Sequence, residues 1–218
     1  MISTNTFDPF YLMLALVALS LLPFVAIMVT SYIKISIVLS LTRNALGIQQ
    51  IPPNMVINGL AVILSIYVMA PVGQEIYDIL VKAVEKKGNT VQLLKSIVKA
   101  KEPLRKFLLK HSKRKERLFF VHAAKDLWQN ESAGKLKHDD LVVLIPAFTV
   151  NELASAFKIG FLIYLPFVVI DLIISNILLA MGMIMLSPMM ISLPFKLLLF
   201  VLTDGWTKLI HGLVLTFR

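Results

Sequence analysis

The chain has 218 residues, 57% of them apolar and 16% charged, with a mean hydropathy of +0.79. A soluble domain carries about 25% charged residues, so a simple cytosolic enzyme is excluded and membrane residence is expected. No cysteine is present, which removes disulfides, cysteine-ligated zinc, iron–sulfur clusters and thiol catalysis.

Residues 9–33 carry no charge, and about 20 apolar residues suffice to cross hydrocarbon. Only Asp8 precedes this run. A secretory signal begins with basic residues and has a shorter apolar core, so a retained span is expected in preference to a cleaved leader. Lys34 and Arg43 follow the run. The excess of basic residues on that side predicts a cytoplasmic loop at 34–53 and an external N-terminus. Residues 44–74 are again uncharged and begin with turn signals, Gly47 and Pro52-Pro53, so a second span is expected from Asn54 to Gln74.

The charge is segregated. Between Lys82 and Asp140 lie 16 of the 22 Lys and Arg but 7 of the 13 Asp and Glu, so this insert carries the whole net charge of +9. Residues 75–95 hold 4 basic and 3 acidic groups and residues 125–140 hold 3 and 4, so these flanks nearly cancel and the excess sits at 96–124. An insert on the outer side is therefore compatible with the positive-inside rule, which weighs charges near span ends. Leu104, Phe107, Leu108 and His111 share one helical face, as do Val91, Leu94, Ile97 and Val98. Pro103 suits the first turn of a helix. The basic middle, including Lys113-Arg114-Lys115, reads as a solvated face or as an attraction to anionic lipid headgroups. No nucleic-acid module is visible. His138-Asp139-Asp140 reads as a solvated polar end.

After the insert, positions 153–203 carry only Lys158, Asp171 and Lys196. The stretch is long enough for two passes, with breaks expected at Ser187-Pro188 and Leu193-Pro194. A last apolar run extends from Leu197 to Phe217. The expected architecture is all-α: an N-terminal helical hairpin (1–81), a basic soluble helical insert (82–140) and a C-terminal helical hairpin (141–218). A short echo, Leu22-Pro23-Phe24-Val25-Ala26-Ile27 against Leu165-Pro166-Phe167-Val168-Val169-Ile170, is too thin to establish a repeat.

Catalytic constellations are missing from the sequence. There is no GxSxG, HExxH or GxxxxGK[ST] pattern, and the four histidines lack paired metal-ligand spacing. No enzyme activity, cofactor or metal is expected. The sharper signal is the charge within or beside apolar runs: Glu152, Lys158, Asp171, Lys196 and Asp204. Each costs about 2.5–3.5 kcal/mol at a membrane helix centre, so each is expected to face a partner or a water-filled path. Glu152 follows Asn151, a good N-cap, and suits the positive end of a helix starting there. Five of ten methionines fall at 181–190. Flexible thioethers fill irregular gaps, either between packed helices or in a pore that must yield to varied cargo.

Four stretches resemble the SctR/FliP family, the R (flagellar P) subunit of the type III secretion export gate, in its injectisome form. They are Arg43-Asn44-Ala45-Leu46-Gly47 running to Ile51-Pro52-Pro53-Asn54-Met55; Tyr67-Val68-Met69-Ala70-Pro71; Pro146-Ala147-Phe148 through Glu152 to Ala156-Phe157-Lys158-Ile159-Gly160-Phe161; and Leu165-Pro166-Phe167 through Asp171, Asn176, Gly182 and Ser192-Leu193-Pro194-Phe195-Lys196 to Asp204-Gly205-Trp206.

The resemblance implies a cone-shaped oligomer, typically a pentamer, built with S/Q-type and T/R-type subunits inside a basal body. Unfolded proteins leave the bacterial cytoplasm through its channel. It also implies hairpins raised toward the periplasmic side of the inner membrane, so that apolar faces meet protein partners where hydropathy suggests lipid. The family's constriction tract follows the glycine matching Gly182, and reads Met183-Ile184-Met185 here. Ile184 departs from the three methionines of flagellar relatives and is stiff at χ1. Lys158, Asp171, Lys196 and Asp204 are expected to pair between subunits or to serve transport. The rival readings are a small secondary transporter or ion channel, and a non-conducting assembly scaffold.

Overall fold

A computed structural model describes residues 9–48, 50–85, 98–128 and 136–218, with Ser96 and Gly134. The described residues form helices and no strand: α1 (Pro9–Val29), α2 (Tyr32–Ala45), α3 (Asn54–Glu85), α4 (Glu102–His111), α5 (Arg114–Trp128), α6 (Leu141–Ala180), α7 (Pro188–Leu202) and α8 (Gly205–Leu215). The all-α expectation holds. Val91, Leu94 and Ile97 of the second expected insert face lie outside the described residues, and Val98 is exposed.

The first uncharged run does not form one element. It breaks at Thr30-Ser31, where buried Ser31 Oγ donates to Ser65 Oγ at 3.2 Å. The chain then re-enters helix at Tyr32. Lys34 therefore belongs to α2 and is buried. It is not the loop charge expected from its place after the apolar run.

The second span starts at Asn54, where the Pro52-Pro53 signal put it, but runs on to Glu85. Arg43 ties the end of α2 to this start. Its Nη1 donates to Asn54 Oδ1 at 2.6 Å and to the Pro52 carbonyl at 3.2 Å.

The core is the contact of α2 with α6, the most extensive helix pairing in the fold. From α2 come Ile35, Val38, Leu39 and Thr42, the i, i+3, i+4, i+7 pattern of one buried stripe. From α6 come Leu144 and the row Phe148, Glu152, Ala156 and Gly160, spaced four apart. Such a row is a ridge that fits a facing groove. Its small members let the backbones close: a Cβ on Gly160 would fall 2.3 Å from Leu41 Cδ1. Each fully buried large apolar side chain here contributes about 1.5–3 kcal/mol.

Helix α6 is one element of 40 residues that passes through Pro146 and Pro166. Proline removes one backbone donor, and the packed neighbours hold the helix on either side: Phe167 lies against Phe200 at 6.3 Å between ring centres. Pro194 likewise sits inside α7 and does not break it. The break comes instead at Thr203-Asp204, where Asp204 is left-handed (φ 52°) and α8 leaves α7 at 61°. Helices α1, α3 and α6 are long and apolar enough to cross a membrane, and the bent α7–α8 pair would make a fourth span.

Within the insert, Pro103 does occupy the first turn of α4, and Phe107 and Leu108 are buried with Leu104 packed beside them.

Candidate functional site

The loop between α6 and α7 is set by one glycine. Gly182 has φ +73°, a conformation that costs other residues a Cβ clash. Its N–H donates to the Leu179 carbonyl at 3.0 Å, and the Met183 N–H to the Leu178 carbonyl at 2.9 Å. These are the paired bonds of a Schellman ending. The helix stops there and the next residues swing clear of it. Pro188 at the first turn of α7 restarts helix six residues later. Between the two lie Met183, Ile184 and Met185, which are 41%, 80% and 101% exposed in the single chain. A row of apolar side chains stripped of neighbours is costly in water. Met181, Met189 and Met190 are exposed around it.

Behind this loop, α6 and α7 are pinned by charge. Lys196 Nζ meets Asp171 Oδ2 at 2.5 Å, and Ser192 Oγ donates to Asp171 Oδ1 at 2.5 Å. Lys196 and Ser192 are buried and Asp171 is half-buried. Ser192 and Lys196 are four apart on one face of α7, so both reach the same carboxylate. These two sequence-predicted charges thus meet within one chain. The other two stay apart: Lys158 is exposed on α6 and Asp204 is exposed at the α7–α8 bend. Neither makes an ion pair among the described residues.

Glu152 does not begin a helix. It is the twelfth residue of α6, whose N-cap is Asp140. The start expected after Asn151 gives way to a helix that packing on α2 carries through from Leu141. Glu152 Oε2 lies 2.9 Å from Lys34 Nζ, with the side chains 1% and 5% exposed. Opposite charges at this distance in a dry site attract strongly. Phe217 closes it from the far end of the chain, its ring centre 4.0 Å from Lys34 Nζ.

Asn151 has a different task from capping. Its Nδ2 donates to the His111 carbonyl at 2.7 Å, holding the end of α4 against α6. Phe217 also stacks on Phe107 (6.3 Å) and meets His111 edge-on (5.4 Å). Burial lowers the His111 imidazole to about 4, with repulsion from Lys110 and Lys34 adding to it. The other end of α4 is tied by Arg105 Nη1 to Asp139 Oδ2 at 2.7 Å. Asp139 is therefore an anchor of the insert, not a solvated end. The Glu102 and Asp139 carboxylates raise the Arg105 pKa further.

Sequence reasoning missed Lys34 and Phe217 as members of this centre. One signal for Lys34 was available: it is the single charge between Asp8 and Arg43. Phe217 gave none, because nothing local marks which terminal aromatic reaches back to the core.

The "FliP family" model matches residues 15–213. "Yop proteins translocation protein R" of Yersinia pestis is 56% identical over 210 residues, covering 96% of this chain and 97% of its own. "Hypersensitivity response secretion protein HrcR" of Ralstonia nicotianae is 53% identical over 204 residues, covering 93% and 94%. "Virulence protein YscR" of Salmonella typhimurium is 47% identical over 217 residues, covering 96% and 97%. With a family model spanning nearly its whole length, and relatives this similar end to end, the chain belongs to the FliP family.

Proposed function

We infer that the chain is a core subunit of a type III secretion export gate. With S/Q-type and T/R-type partner subunits and further copies of itself, it forms the channel through which unfolded proteins leave the bacterial cytoplasm. The observation that carries assembly is surface area. The isolated chain exposes 15474 Å², whereas a compact 24.4 kDa monomer exposes about 10,000 Å². Much of the excess is apolar, along α1, α3, α6 and α7, and partner subunits and inner-membrane lipid together cover it.

In this reading several copies, five in number, stand around one axis. Met183, Ile184 and Met185 project from the loop after α6 and converge as a constriction. Flexible thioethers close the resting pore and then fit around an extended chain of arbitrary sequence. The role is structural, and the driving energy comes from elsewhere in the apparatus. Site-specific crosslinking from position 183 to a substrate stalled in transit tests it. Capture of the substrate from 183, with none from exposed sites on α1, is the expected result. No capture in an assembled particle would remove the constriction from these residues. Solute transport by the purified chain alone would favour a carrier instead.

A further inference from the structure

Helix α5 carries a surface that the channel reading does not use. At 3.6 residues per turn, Arg114, Lys115, Leu118, Phe119, His122 and Lys125 fall on one side of the helix, and all six are exposed. The buried Val121 and Ala124 adjoin this face on its Arg114 side. Large apolar side chains therefore stand in water between three cations, and Asp126 is the acidic residue on that side. Leu118 and Phe119 are 39% and 60% exposed there. A packed protein core would not admit Arg114, Lys115 and Lys125 unpaired.

The position of the helix supplies the second observation. Leu127 and Trp128 reach across to Val142, Val143 and Pro146 and enclose with them a cavity of about 170 Å³. Those residues are the first turns of α6, the 40-residue apolar helix. Helix α5 thus flanks the point where a membrane-length apolar element begins. Basic residues and amphipathic aromatics at such a point are the composition of the headgroup layer. We infer that the exposed face of α5 docks on the anionic headgroup surface of the bilayer, with Leu118 and Phe119 inserted and Arg114, Lys115 and Lys125 on lipid phosphates. Phosphate-facing cations with inserted apolar side chains also describe how amphipathic helices lie in an interface. The docking goes beyond the channel reading and does not depend on it.

The chain has no cysteine, so His122→Cys gives a single labelling site in the middle of the face. The full-length chain, labelled there with an environment-sensitive fluorophore, is placed in bilayer discs of phosphatidylcholine alone or with phosphatidylglycerol. The expected result is a blue-shifted emission in the anionic discs only, lost in the R114Q/K115Q/K125Q variant and weakened by high salt. A Leu118→Ser/Phe119→Ser variant should show a much smaller shift, and what remains should still weaken with salt. All variants are surface changes, and size-exclusion elution checks that each remains folded. Equal emission in both lipid compositions would overturn the inference. A shift produced by added partner subunits, with none produced by anionic lipid, would overturn it too and assign the face to a protein.

Discussion

Lys34 and Glu152 stand 118 residues apart in the chain and 2.9 Å apart in the fold, both almost fully buried. Phe217 roofs them from the far end of the chain. Three distant segments thereby share one electrostatic centre, and the basic insert is docked on it through Phe107, His111 and Asn151.

Removing one charge strands the other in a dry site. Glu152→Leu or Lys34→Met alone should cost about 3–5 kcal/mol, whereas the double variant should recover most of that loss, because two apolar side chains replace a pair whose desolvation offsets its attraction. Thermal melts of the detergent-solubilised chain read the difference. Equal melting of single and double variants would show that the pair is not coupled.

The Asp171–Lys196–Ser192 contact fixes the base of the methionine loop. Asp171→Asn should loosen the α6–α7 connection by about 1–3 kcal/mol, the range of a charge-assisted hydrogen bond. The exchange Asp171→Lys with Lys196→Asp should restore part of it. Recovery of the large complex on native gels is the measurement. If the pairing acted only between copies, the isolated chain's melting temperature would not move with either change.

Replacement of Met183 and Met185 by Ala should make resting cells leak ions while the complex still assembles. Ile184→Met should tighten nothing and keep secretion, because a thioether is more pliable than a β-branched side chain. Conductance or dye uptake by cells at rest reads both. A tight membrane in the double alanine variant, with intact assembly, would move the seal elsewhere.

His111 gives the insert a pH dependence. Its ring is held neutral, with a folded pKa near 4, and a free histidine titrates near 6.5. The unfolded chain therefore binds the proton first. Stability should be complete above about pH 6.5 and fall as pH drops toward 4, then level off. His111→Leu removes this titration, so its melting temperature should fall less between pH 7 and 4.5 than that of the parent. Parallel pH profiles would show that His111 does not carry the effect.

Gly160 sets the spacing of α2 and α6. Gly160→Val should cost about 1–3 kcal/mol through overpacking against Leu41. Leu41→Ala, which clears the space, should make the valine tolerable. Melting of the single and double variants tests this.

The chain's own residues were enough to identify a helical, membrane-type protein with one basic insert. They also gave the start of α3 at Asn54, the proline at the first turn of α4 and the break at Ser187-Pro188. Each is a local or compositional property. Proline and glycine act on their own dihedral angles, and a run of apolar residues is costly in water wherever it lies. Pro194 misled because a helix interrupted in isolation can be carried through when its neighbours bury it. The expected break at Leu193-Pro194 thus gave way to one at Asp204, where the turn dipeptide Asp204-Gly205 interrupts the apolar run.

Tertiary contact alone decided the rest. Which cation meets Glu152, which carboxylate meets Lys196 and which aromatic covers Lys34 depend on two helices approaching at a fixed distance. Sequence spacing sets which residues share a helix face, but charge attraction falls with distance in space and takes no account of separation along the chain. The α2–α6 packing brings residues 34 and 152 together, and the C-terminal Phe217 closes over them, which turns isolated charges into a centre.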